Sequence, residues 1–65
     1  MKHTITLFLA DGGWMATDTD PQVRKLFGTD TLPTPFLVGT HPEMVQDAVQ
    51  RLNPGAVVVL RGVTP

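Results

Sequence analysis

The sequence predicts a small α+β fold, in which a single antiparallel or mixed sheet carries one main helix on one face. Three observations predict it: an alternating pattern with a tight turn near the start, a capped helical stripe in the second half, and a nearly all-apolar segment near the end. A chain of 65 residues has room for one hydrophobic core, so we expect residues 1–65 to form a single domain. The expected order of elements is β-hairpin, short helix, short strand, long helix and strand.

The first element is predicted to be a β-hairpin. Residues 4–10 alternate between two faces, and alternation with β-branched and aromatic residues is typical of a half-buried strand. The Asp-Gly-Gly sequence at 11–13 tolerates the positive φ angles of tight hairpin turns, and the second strand follows at 14–17. The face expected to meet the helix consists of Ile5, Leu7 and Leu9, and the opposite face contains Phe8.

A short helix and a short strand are predicted next. Asp20 is a good N-cap and a proline follows it, so a helix is expected over 21–27, with Gly28 as its terminator. Two prolines punctuate residues 29–35, which we interpret as a loop. The segment 36–38 is predicted to be a short edge strand, because the proline before it cannot donate a ladder hydrogen bond.

The principal helix is predicted to start at a capping box. Thr40 is the expected N-cap and Glu43 lies three residues later, while Asn53 and the Pro-Gly pair after it end the helix. Asp47 and Arg51 lie four residues apart, on the face opposite the apolar stripe. That stripe consists of Met44, Val45, Ala48, Val49 and Leu52.

The last strand, predicted over 56–61 before a tail at 62–65, is apolar on both faces. Such a strand is usually covered on two sides, whereas one main helix covers one side only. An apolar strip is therefore expected on the open side of the sheet, unless the short helix at 21–27 folds over it. The candidate interface consists of Phe8, Trp14, Met15, Val58 and Leu60. Of these, Trp14 is expected to anchor the core rather than an interface.

Composition and spacing argue against several kinds of site. The absence of cysteine removes disulfides, thiolate catalysis and cysteine-based metal sites. His3 and His41 have no convergent nucleophile or second acid–base group in the sequence pattern. Caps and turns account for Asp18, Asp20 and Asp30. We therefore expect no catalytic residue, no cofactor and no metal ion.

Charge and hydropathy indicate the class of partner. An apolar fraction of 42% with a net charge of −1 is atypical of a disordered chain and of a generic nucleic-acid binder. No apolar run reaches the length of a membrane-spanning helix, so we expect a cytoplasmic protein without a membrane partner. A local basic patch stays open as an alternative, with contacts to phosphates or RNA bases. Its candidate residues are Arg24, Lys25, Arg51 and Arg61.

The first hairpin also carries a family resemblance. The sequence Asp-Gly-Gly-Trp-Met-Ala at 11–16, the Asp-Pro break at 20–21 and the later helix resemble HicB-type antitoxin domains. The resemblance implies a sheet-and-helix fold and a stoichiometric role, because that family binds a small RNA-cleaving toxin. It covers the hairpin and the order of elements, and it departs from the family at 23–27 and 32–35. No toxin-contacting residue is carried over.

These observations predict a small non-enzymatic protein-interaction module. It is expected to act as a homodimer or as a stoichiometric binder of another protein, with a regulatory or inhibitory role. The alternative is a HicB-like or other nucleic-acid-associated binding protein that uses the local basic patch.

Overall fold

In the computed structural model, which describes residues 2–62, four strands form one mixed sheet in the order β3-β2-β1-β4. The predicted α+β class is confirmed, and the last three residues of the predicted tail lie outside the described range. Neither helix in residues 2–62 combines the length and apolar content needed to cross a membrane. The elements are β1 (Thr4–Ala10), β2 (Gly13–Asp18), α1 (Pro21–Phe27), β3 (Thr31–Pro33), α2 (Pro42–Leu52) and β4 (Val57–Leu60).

The β1–β2 hairpin is antiparallel, and Ala10 pairs with Gly13 across its turn. The prediction of positive φ angles in the turn is wrong for Asp11 and Gly12, and the left-handed region is occupied at Gly13, with φ 135°. A Cβ atom at Gly13 would lie 2.7 Å from the carbonyl oxygen of Phe36. Glycine is therefore required here both by the backbone angle and by the close approach of another segment.

The predicted bounds of α1 are confirmed. The Asp20 carboxylate accepts a hydrogen bond from the Gln22 N–H at 2.9 Å, and Gly28 ends the helix in the left-handed conformation with φ 76°. Val23 lines a groove together with Ile5 and a residue of α2, so α1 lies on the same side of the sheet as α2. The short helix therefore does not cover the other side.

The third strand is Thr31–Pro33, so the predictions of a loop over 29–35 and of a strand over 36–38 are wrong. The prolines are tolerated because Pro33 lies on a sheet edge, where its missing N–H faces outward. After β3 the chain bends toward the start of β2, where the Trp14 N–H donates to the Phe36 carbonyl at 3.0 Å. That single contact replaces the strand expected at 36–38.

The main helix α2 begins after His41, and the prediction of Thr40 as its N-cap is wrong. The imidazole Nδ1 of His41 accepts from the Glu43 N–H at 3.3 Å, which satisfies one of the free donors at the helix start. The carbonyl of Thr40 instead accepts from Trp14 Nε1 at 3.3 Å. Histidine thus takes the capping position that the capping-box pattern assigned to threonine.

The core lies between the sheet and α2. β4 runs parallel to β1 and pairs Ile5 with Val58, so both side chains point toward the helix. Leu7 and Val45 are fully buried at the centre of this layer. The buried apolar residues are Ile5, Leu7, Trp14, Val45, Val49, Ala56 and Val58.

Candidate functional site

The side of the sheet that faces away from α2, here called the open face, is the first candidate surface. Its side chains alternate with the buried residues of β1 and β4, so strand register assigns them. Neither helix covers it within residues 2–62. The open face carries the apolar residues Phe8, Met15, Val57 and Val59 and the threonines Thr4, Thr6, Thr17 and Thr31.

Phe8 lies at one end of an apolar row that crosses the open face. Met15 lies opposite it on β2, and Pro33 follows Met15 on β3. The guanidinium carbon of Arg61 stands 4.6 Å from the centroid of the Phe8 ring, a cation–π arrangement. The row therefore combines three apolar side chains with one cation held over an aromatic ring.

The residues of β4 that face α2 are not those expected from the sequence. Val58 is buried, and Leu60 packs against the core, so both face α2. Val57 and Val59 occupy the open face instead, with 45% and 38% of their surface exposed. Trp14 is 2% exposed, which confirms its interpretation as a core anchor.

Of the five candidate interface residues, the open face therefore contains Phe8 and Met15, and sequence reasoning missed Val57 and Val59. A run of apolar residues gives no alternation from which to assign faces. The signal that was missing is the pairing register with β1, which places Val59 beside Thr6. The sequence alone does not contain that register.

The free edge of β4 is covered by two glutamines of α2. Alternate residues of β4 turn their backbone groups toward β1, which leaves the carbonyls of Ala56 and Val58 facing outward. Gln50 Nε2 donates to the Ala56 carbonyl at 2.9 Å, and Gln46 Nε2 donates to the Val58 carbonyl at 3.0 Å. The spacings match because four helical residues and two strand residues both rise by about 6 Å. Two acceptors that an added strand would need are therefore taken.

The other edge, on β3, is closed in a different way. Leu32 pairs with Ala16 of β2, and the ladder bonds on either side of this pair turn the backbone groups of Thr31 and Pro33 outward. Pro33 has no N–H, and the Thr31 N–H donates to Thr29 Oγ1 at 3.1 Å. This short edge therefore has no free donor between Thr31 and Pro33, which disfavours strand addition.

A second apolar surface lies on the outer side of α2. Met44 and Leu52 are exposed by 66% and 78%, and Ala48 lies midway between them on the helix. Phe36 packs beside them and completes a shallow depression, here called the α2 groove, which is lined mainly by apolar atoms. The ion pair of Asp47 and Arg51, with 3.1 Å between Oδ2 and Nε, borders the groove, so the prediction that it lies opposite the apolar stripe is wrong.

The four residues of the candidate basic patch are divided among α1, α2 and the end of β4. Arg51 is on α2, whereas Arg61 lies over Phe8 on the opposite side of the sheet. Arg24 lies 3.9 Å from a carboxylate oxygen of Asp30, and Lys25 follows it on α1. The fold therefore does not bring Arg51 and Arg61 onto one surface.

His3, just before β1, and Asp18, at the end of β2, form a polar contact between these two segments. His3 Nδ1 lies 2.7 Å from Asp18 Oδ1, and that carboxylate oxygen also accepts from the Asp20 N–H at 2.8 Å. The Thr19 hydroxyl accepts from the Thr4 N–H, also at 2.8 Å. These contacts join the start of β1 to the β2–α1 junction. Within residues 2–62, no group of three or more histidine, aspartate or glutamate side chains gathers in a metal-binding arrangement.

Comparison with known proteins gave no matching family model, no matching curated sequence and no matching solved structure.

Proposed function

We propose that this chain is a non-enzymatic protein-interaction module that binds another protein stoichiometrically through the open face. The observation that carries the proposal is the apolar row with the half-buried Phe8 and Met15, which neither helix covers, beside the exposed Val57 and Val59. Exposed apolar patches on small proteins commonly mark partner sites, since their burial is favourable by roughly 25 cal/mol per Å². The resemblance of the hairpin to HicB-type domains supports the same class of function.

The face, rather than an edge, is the proposed contact. Strand addition needs a row of free backbone donors and acceptors. The glutamines Gln46 and Gln50 occupy acceptors on β4, and Pro33 together with Thr29 removes donors on β3. A partner that packs side chains onto the sheet needs none of these backbone groups.

Affinity capture with wild type and Phe8→Asp, followed by reconstitution from purified components, tests the proposal. We expect a partner that forms a complex of defined stoichiometry by light scattering, with at least tenfold weaker binding by Phe8→Asp. The new carboxylate lies beside Met15 within the apolar row, and the substitution also removes the ring beneath Arg61. The matched control is Leu26→Asp, which adds the same charge at an exposed position of α1.

Thermal unfolding must first show that both variants are folded. Capture of the same proteins by wild type and Phe8→Asp would contradict the proposal. So would captured proteins that fail to bind once purified.

One observation favours a second candidate, a nucleic-acid partner. Arg61 over Phe8 resembles the cation and aromatic platforms on which unpaired bases stack. This candidate requires binding to a single-stranded oligonucleotide that falls steeply with salt and is lost in Arg61→Gln. The protein-binding proposal instead expects a complex that survives at high salt.

A further inference from the structure

The outer side of α2 carries more apolar surface than the sheet can bury. Val45 and Val49 face the sheet and are buried, whereas Met44 and Leu52 point outward and stay largely exposed. Both exposed side chains line the α2 groove. In a monomer they would keep this surface in water, at a cost that burial against a partner removes.

The arrangement of the α2 groove is self-complementary under a two-fold axis. Met44 and Leu52 each lie four residues, or about 6 Å along the helix, from Ala48. An antiparallel second helix centred on Ala48 places the partner's Leu52 against Met44, and the partner's Met44 against Leu52. The small side chain at the crossing point permits the close end of the usual interaxial range of about 8–10 Å.

The charges at the border of the groove are centred one residue, or about 1.5 Å, from Ala48, so nearly the same axis relates them. Asp47 and Arg51 follow each other by one turn on a single flank of the groove. In an antiparallel pair, equivalent flanks of the two helices meet, and an axis between Ala48 and Val49 brings Asp47 nearer to the partner's Arg51 than to the partner's Asp47. The opposite signs fix the orientation more than they add affinity, because both side chains are solvent-exposed.

We propose that the chain self-associates through the α2 groove as a two-fold dimer of antiparallel α2 helices. Its occupant is a second copy of this chain, because the apolar spacing and the flanking charges complement themselves. The proposal is independent of the proposed function, since α2 and the open face lie on opposite sides of the sheet. The helix has 11 residues, so the contact is smaller than a standard interface, and a weak dimer that dissociates on dilution is expected.

Sedimentation velocity over a wide concentration range tests the dimer. We expect wild type to shift from monomer to dimer, and Ala48→Glu to stay monomeric, because two carboxylates would meet at the axis. Gln22→Glu adds the same charge on α1 and should dimerise like wild type. Phe8→Asp should also dimerise, which separates this proposal from the open face.

Charge exchange tests the orientation. Asp47→Arg alone should weaken the dimer several-fold, since it places arginines together on the flank. The double variant Asp47→Arg with Arg51→Asp should recover most of that loss, because opposite signs meet again. A strictly monomeric wild type at millimolar concentration, or a dimer that Ala48→Glu leaves intact, would overturn the proposal.

The absence of cysteine from the sequence permits a clean covalent test. Ala48→Cys places one thiol per chain at the axis, where a disulfide between two copies is within reach. We expect rapid crosslinking on mild oxidation, and little from Asp11→Cys at the exposed hairpin turn. Equal crosslinking rates for the two variants would contradict the antiparallel arrangement.

Discussion

Gly13 connects a backbone angle to a contact between distant segments. Its φ of 135° lies in a region that residues with a Cβ atom rarely adopt, and its neighbour Trp14 donates to the Phe36 carbonyl. The absence of a side chain lets the loop after β3 approach the hairpin backbone. The sequence pattern identified a glycine turn, but it contained no sign of the segment that packs against it.

Gly13→Ala should therefore destabilise the fold by about 2 kcal/mol or more, because it adds both backbone strain and a steric clash. Gly12→Ala is the matched control, since its φ is not positive and no other segment of residues 2–62 comes within 4 Å of the place its methyl group would occupy. We expect that variant to be neutral or slightly stabilising. Urea unfolding followed by Trp14 fluorescence measures both, and equal stabilities would contradict this account.

At the scale of elements, local capping signals predicted the bounds of α1 and misplaced the N-cap of α2 by one residue, whereas strand pairing was not predictable from local signals. Asp20 and Gly28 define both ends of α1 through contacts within the helix itself, so the sequence predicted its bounds. β3 was missed because its pairing with β2 outweighs the proline signal. The two faces of β4 were exchanged in the prediction because its register is set by pairing with β1, which lies at the other end of the chain.

The glutamine contacts between α2 and β4 belong to this scale. Gln46→Met and Gln50→Met keep the side-chain length but remove the donors to the Val58 and Ala56 carbonyls, and Gln50→Met also removes a donor to the Asn53 carbonyl at 3.2 Å. Each should lower the free energy of unfolding by about 1 kcal/mol, as expected for a net hydrogen bond. Gln22→Met is the control on α1, and chemical denaturation provides the measurement. A loss no greater than that of the control would show that the contacts are dispensable.

For the molecule as a whole, the main feature is the small number of fully buried side chains in residues 2–62. A domain of this length buries only about 60% of its unfolded surface, so individual core residues account for much of the net stability. The sequence predicted which helix meets the sheet and which hairpin face it covers, because amphipathic periodicity records burial directly. It did not predict which surface would stay exposed on α2, because that depends on how far the sheet extends beneath the helix.

Substitutions at two adjacent positions of α2 test which side of the helix is buried and which is exposed. Val45 is fully buried, so Val45→Ala should cost about 2 kcal/mol of unfolding free energy through the lost methyl groups and the cavity. Met44 is mostly exposed, and Met44→Ala should change the stability of the dilute monomer by less than about 0.5 kcal/mol. Thermal unfolding at low protein concentration distinguishes them. Similar losses in the two variants would indicate that the helix is rotated from this arrangement.

The parallel pairing of β1 with β4 also sets the order of events in folding. Thr4 pairs with Val57, so the central strand closes its sheet only when nearly the whole described chain has come together. The local hairpin and α2 can form within microseconds, whereas joining the two ends carries the entropy of a long loop. We therefore expect the arrival of β4 beside β1 to be the rate-limiting step. Until that step, the edge of β1 that later pairs with β4 is free to pair with any other strand. Misassembly is therefore most probable in this interval.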